Sequence, residues 1–162
     1  MSEGNEHSSL KPGQIAPAVS LDDFLPYLIN RIANRLNMSL HQDLRCLSVG
    51  IPEYRVLAVL MAGDGRSVNE LAVYTVTGQS TLSKSLARME QAGFIERRPD
   101  PADGRGVKVH ITAHGICRFQ QIVPFALKHY RHALEGFNEA ERRELTRLLH
   151  RVLDNIRESA FP

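Results

Sequence analysis

The chain has 162 residues, 43% of them hydrophobic, with no tryptophan and a formal charge of only +2. That length amounts to one domain with room for a core, and the near-neutral balance excludes a polycation, so any affinity for nucleic acid has to come from a local patch. No apolar run approaches the ~20 residues of a membrane span and no N-terminal segment suits secretion, so a cytoplasmic protein without a membrane partner is expected.

Residues 1–20 are polar and carry Gly, Pro and Ser, which reads as a flexible N-terminal arm. A first long helix opens at Leu21-Asp22-Asp23 within the segment 21–50. Its Leu25, Leu28, Ile32 and Leu36 form one stripe, with Ile29, Ala33, Leu40, Leu44 and Leu47 beside it. A second helix starts at Pro52, whose ring is preorganised for a first helical turn, and runs through Val56, Leu57 and Leu60 to Gly63.

Ser67-Val68-Asn69-Glu70 has the spacing of a capping box, in which the serine hydroxyl and the glutamate carboxylate satisfy free amides at a helix start. A short helix is therefore expected to end near Tyr74, with Thr75 to Gly78 as the turn. The next helix, from about Gln79 to Ala92, sets Leu82, Leu86 and Met89 on one face. Gln79, Ser80, Thr81, Ser83, Lys84 and Arg88 occupy the other. Two helices joined by so short a turn can seat the second in a DNA major groove, where Ser and Thr serve phosphate or base edge and Gln pairs with adenine. An ordinary amphipathic helix with a Ser/Thr-rich wet face fits the same residues equally well.

Gly93 is placed as a helix C-cap. Phe94-Ile95-Glu96-Arg97-Arg98 reads as a strand, Pro99 to Gly106 as a polar loop, and Val107 to Ile111 as a second strand whose Val107, Val109 and Ile111 alternate inward, leaving Lys108 outward. Arg97, Arg98, Arg105 and Lys108 then crowd one hairpin, and phosphate oxygens would relieve their repulsion. Alone, a hairpin arginine such as Arg105 is usually only a solvated turn residue. Beyond Thr112 a long helix carries Ile116, Phe119, Ile122, Val123 and Leu127 past Pro124, which should bend it. A last helix from about Asn138 aligns Leu145, Leu148, Leu149, Val152, Leu153 and Ile156. Apolar stripes at both ends of the chain suit pairing of two copies about a two-fold axis.

Cys46 and Cys117 lack the spacing of a zinc ribbon and are expected as small buried apolar residues. His129 and His132 lie one turn apart and His110 and His114 flank a strand-helix junction, but no set of three or four converging ligands is visible, so no metal or other cofactor is expected. Without a phosphate-binding glycine loop or a nucleophile elbow, neither is an enzyme.

The strings SVNELA, STLSKSLARMEQAGFIERRPDPADGRGVKVHIT and AHG resemble the MarR family of bacterial winged-helix transcription factors. The resemblance implies a mainly α fold: a winged helix-turn-helix with a small antiparallel β-wing over residues 51–112, and long dimerisation helices over 21–50 and 113–162. It places Gln79 to Lys84 at the start of the recognition helix and sends Arg105 into the minor groove, held by Asp103. The DNA-contacting set is then Gln79, Ser80, Thr81, Ser83, Lys84, Arg88, Arg97, Arg98, Asp103, Arg105 and Lys108. The flanking Gly104 and Gly106 depart from bulkier wings. The implied partners are a second copy of the chain, a pseudo-palindromic double-stranded operator, and an aromatic acid or phenol in a pocket lined by the first, second and fifth helices. His41, Arg45, Tyr54 and Arg55 are its candidates, although Tyr54 as half-buried core and the two arginines as surface ion pairs fit no worse. A repressor released by that effector is the reading, against a redox-responsive regulator or a winged helix that binds protein.

Overall fold

The computed structural model describes residues 14–16, 19–101 and 103–158, with the side chains of 14–19, 103–105 and 157–158 outside the description. Two short strands, β1 (Gln14–Ala16) and β2 (Val19–Ser20), pair antiparallel just before the first helix, so the end of the expected arm is a small ribbon. The opening at Leu21 is one 3-10 turn capped by the Ser20 hydroxyl, and α1 proper spans Leu25–Leu44. α2 (Ile51–Ala62) carries Pro52 in its first turn, and Glu53 reaches back to accept the Gly50 amide at 2.9 Å.

At Ser67 the capping box forms as the spacing requires: the Ser67 hydroxyl accepts the Glu70 amide, and the Glu70 carboxylate accepts the Ser67 amide at 2.8 Å. α3 covers Val68–Thr75 and α4 Gln79–Gln91. β4 (Ile95–Asp100) and β5 (Asp103–Ile111) form the wing hairpin, and β3 (Arg66–Ser67), which the sequence reading lacked, pairs with the far side of β5 to give the antiparallel order β3-β5-β4. Ile95 faces Ile111 and Arg97 faces Val109 across the pair. α5 (Ala113–Ala133) and α6 (Glu139–Glu158) complete the chain; Asn138 and Glu141 exchange amide bonds at the start of α6, a second capping box.

One core gathers the ends of all the packed elements. Leu40 and Leu44 of α1, Val56, Leu57 and Leu60 of α2, Leu71 of α3, Leu82, Leu86 and Met89 of α4, Ile95 and Val109 of the hairpin and Ile122 of α5 are buried together. Burying one such side chain contributes roughly 1.5–3 kcal/mol. Gly93, at φ +71°, turns the chain from α4 into β4. Gly115 lets the first turn of α5 lie directly on the backbone of Phe94, where a Cβ would stand 2.0 Å from the Phe94 carbonyl oxygen. Between α1 and α5, Asp43 accepts Lys128 Nζ and pairs with His129 Nε2, both at 3.0 Å. The Lys128 hydrogen bond is the main reason its carboxyl titrates below the ordinary 3.8.

Three expectations need correction. The polar loop expected over 99–106 is strand through Asp100 and again from Asp103, because the pairing continues to Asp100 opposite Asp103, with an irregularity at Pro99/Asp100. Val107 is exposed rather than inward, since it faces Pro99 beyond the end of the core. Cys46 and Cys117 are both exposed, not buried. The N-terminal half of α1 and all the described side chains of α6 lie outside the core: Leu25, Ile29, Ile32, Leu148, Leu149, Leu153 and Ile156 are exposed apolar residues on long amphipathic helices that this copy of the chain leaves uncovered.

Candidate nucleic-acid interface

α4 is seated by its apolar face. With Leu82, Ser85, Leu86 and Met89 at most 1% exposed, its opposite side is fixed outward, and Gln79, Ser80, Thr81, Ser83, Lys84 and Arg88 are all exposed there. The helix begins at Gly78 without a side-chain cap. Its first amides therefore have no side-chain cap among the described residues, and they lie beside the Ser80 and Thr81 hydroxyls at the positive end of the helix dipole, an arrangement suited to a phosphate oxygen. Lys84, one turn further along, has no ion-pair partner among the described residues.

The turn ahead of α4 is held tightly. Val76 takes a left-handed conformation (φ 49°, ψ 46°), which a β-branched residue adopts only under constraint. The constraint is visible: Arg55 Nη1 donates to the Thr75 carbonyl at 2.8 Å, its Nη2 donates to Asn37 at 3.1 Å, and the buried Thr75 hydroxyl donates to the Leu71 carbonyl. Arg55, proposed from sequence as a ligand contact, thus ties α1 and α2 to the helix-turn-helix corner.

Electrostatically the hairpin differs from a bare cationic patch. Arg97 pairs with Glu90 at 3.2 Å, Arg98 with Glu96, and Lys108 lies between Glu70 at 3.4 Å and Asp100 at 3.5 Å. Arg88 meets Glu53 at 3.0 Å, joining α4 to α2. For Arg97, Arg98 and Lys108 the expected repulsion is therefore relieved inside the chain. Glu70 is the hub: the Ser67 amide above all, then the Ser67 hydroxyl and the Arg66 guanidinium, draw its pKa down from 4.5 to about 2. Through Lys108 it fixes the wing against α3. Glu53, Glu70 and Glu90 were missed from sequence because they reach their partners from other elements, whereas Glu96 pairs within β4. Asp103 and Arg105 lie on β5, but their side chains fall outside the described residues.

The four ligand candidates do not converge. His41 and Arg45 are exposed, Tyr54 is half-buried and stacked on Phe119 at 6.4 Å, and Arg55 is committed as above. Burial is what raises the Tyr54 pKa above 10.0. Neither the cavity between α2, α4 and α5 nor the grooves beside Tyr27 and Lys84 are lined by any of them. Among the described residues no group of three or more His, Cys, Asp or Glu is arranged to hold a metal ion, and no helix is long and apolar enough to cross a membrane.

Comparison with known proteins places this geometry. The sequence model of the MarR family matches residues 47–106, the segment from the end of α1 to the wing. The chain is 27% identical over 135 residues to the HTH-type transcriptional repressor IacR of Pseudomonas putida, covering 83% of this chain and 81% of that protein. It is 28% identical over 127 residues to the HTH-type transcriptional regulator PecS of Dickeya dadantii, covering 76% of each. Among solved structures, a MarR family transcriptional regulator from Silicibacter pomeroyi superimposes with a TM-score of 0.81 at 29% identity, covering 88% of this chain and 97% of that one. Bordetella bronchiseptica BpsR, whose DNA binding is regulated by 6-hydroxynicotinic acid, gives 0.68 at 25% identity, covering 79% and 97%.

Proposed function

Because the chain belongs to the MarR family of winged-helix transcriptional regulators, we propose that it is a homodimeric repressor that grips a pseudo-palindromic operator and is released by a small aromatic acid. The observation that carries the DNA contact is the uncapped, hydroxyl-bearing start of α4, exposed while its other face is locked in the core. Gln79, Ser80, Thr81 and Ser83 meet base edges and phosphates, Lys84 meets phosphate, and Arg105 at the wing enters the narrow groove. Arg88, Arg97, Arg98 and Lys108 serve by holding α4 and the wing in register through their carboxylates, and reach DNA only where a phosphate displaces one of them. The uncovered apolar faces of α1 and α6 support pairing of two copies, which sets half-site centres about one helical turn, ~10 bp, apart. The effector class is supported by BpsR, which responds to a hydroxylated aromatic acid. A repressor is the mode carried by the name of the IacR relative.

Fluorescence anisotropy on a duplex selected from a random pool tests the DNA reading. Arg105→Ala should weaken binding by roughly 1–3 kcal/mol, and Lys84→Ala should weaken all sequences alike and lower the salt slope by about 1. Affinity independent of salt would refute DNA as the partner and favour a winged helix that binds protein.

A further inference from the structure

Among the described residues, the non-glycine residues with a left-handed backbone are Val76, at the helix-turn-helix corner, and Ser48 (φ 54°, ψ 38°), between α1 and α2. At both corners the carbonyl just before the strained residue accepts an arginine from another element. Arg55 of α2 donates to Thr75, and Arg118 of α5 donates to Leu47. A Cβ disfavours that conformation, and a bond from a charged donor, stronger than one between neutral groups, holds it in place. The Val76 corner lies inside the DNA-binding half of the chain, α2 to the wing. The Ser48 corner is the joint through which α1 enters that half: Val49 drops into the core directly after it and Gly50 opens α2.

Arg118 is itself held fast. Its Nη1 donates to Gln121 at 3.0 Å and its guanidinium lies over the Phe94 ring at 5.6 Å. Phe94 leads α4 into β4, and its carbonyl accepts the Thr112 amide at 3.1 Å just ahead of α5. One side chain thus bears on α5, on the α1–α2 joint and on the α4–β4 corner. Its Nε is buried with no hydrogen-bond partner among the described residues. A methionine would cover Phe94 without burying a charged donor unpaired. Packing therefore does not account for an arginine here; the bond to Leu47 does.

We propose that Arg118 is a positioning residue, a strut that fixes the tilt of the DNA-binding half against α1 and α5 and so selects the separation of the two half-sites. The selection of half-sites rests on the regulator reading above; the strut itself does not. Tilt matters because two extra base pairs between half-sites carry one of them about 7 Å along the duplex and about 70° around it. A pair of chains with loose joints follows that displacement. A braced pair does not, and loses the double grip when geometry forbids both contacts at once. Arg55 braces a corner within one DNA-binding half, so it bears on how each half-site is held and not on their separation.

Fluorescence anisotropy of the full-length chain on duplexes whose half-site centres lie about 8 to 12 bp apart tests the selection. The parent should favour one separation about ten-fold over those two base pairs away, and Arg118→Met should cut that preference below about three-fold. Arg55→Met should weaken all separations alike. Because Arg118→Met can unfold the chain, Arg118→Met with Ser48→Gly is the second variant: glycine takes the left-handed turn at no steric cost, which restores the fold without the strut, and the preference should stay flat. The tilt is read without DNA from nitroxide labels on Ala87→Cys of α4 and Arg131→Cys of α5, both exposed positions. The background is Cys46→Ser with Cys117→Ser, diluted in unlabelled chain so that distances within one copy are measured. The parent should give one narrow distance, and both Arg118 variants a clearly broader distribution. The proposal is overturned if the spacing preference survives in the Arg118 variants, if the parent has none, or if the label distance stays narrow. A double variant that fails to fold also overturns it, by showing that Arg118 serves the core. A label distance that broadens in a chain holding no duplex overturns the regulator reading and leaves the strut standing.

Discussion

Replacing Val76 with asparagine should stabilise the protein, although the change puts a polar residue where a hydrophobic one stood. Val76 is left-handed at φ 49° and ψ 46° and 82% exposed. A left-handed conformation costs a non-glycine residue about 1–2 kcal/mol, and asparagine is among the residues that adopt it most readily. Little burial is lost, so the expected gain is about 1 kcal/mol, or roughly 2–4 °C in Tm for a chain of this size. Glycine relieves the same strain but gives back about 0.5–1 kcal/mol through the freedom of its unfolded chain. The order of stability should therefore be asparagine, glycine, valine. Urea denaturation of the three proteins at one fixed concentration measures it, the concentration being held because the proposed pairing of copies would make stability depend on it. If Val76→Asn loses more than the roughly 0.5 kcal/mol of an ordinary surface exchange, the reasoning fails, and the valine is packed against a second chain.

Gly115→Ala should cost about 3 kcal/mol or more, the upper end of overpacking, because the new methyl meets the Phe94 carbonyl oxygen at 2.0 Å; an unchanged melting temperature would contradict the contact. Glu70 has a folded pKa depressed from 4.5 to about 2, so the stability it contributes is present above about pH 4.5 and is lost as pH falls from there towards 2. Stability curves of the parent and Glu70→Gln should converge across that window, and parallel curves would refute the assignment. Leu149→Asp with Leu153→Asp, two exposed residues one turn apart on α6, should halve the sedimenting mass, whereas a parent chain that is already a monomer at micromolar concentration would refute pairing through this helix.

Local signals in the sequence were legible where one residue's chemistry decides the geometry. Ser67 and Glu70 announced the start of α3, and Gly93 announced the end of α4, each through backbone groups within three residues. Leu82, Leu86 and Met89 fixed which side of α4 faces out. The wing was blurred by composition: Pro99, Asp100, Gly104 and Gly106 suggest a loop, yet β4 is an edge strand, where proline costs no ladder bond that a neighbour needs. β3 is two residues long and has no period to detect. The ion pairs were invisible for a different reason. Lys108 finds Glu70 across 38 positions of chain, and Arg88 finds Glu53 from another helix; such partners are set by packing, not by spacing. For the same reason Arg55 read as a ligand contact or a surface ion pair, while in the fold it holds the helix-turn-helix corner.

The carboxylates that answer Arg97, Arg98 and Lys108 have a consequence for searching a chromosome. Grip on an arbitrary duplex comes from displaced mobile salt ions, and cations already paired with the chain's own acids displace few. On the proposed DNA contacts, idle residence on random sequence is then short, and most copies stay free to sample. Only a site whose bases repay the reading helix, with phosphates placed to outbid those acids, retains them.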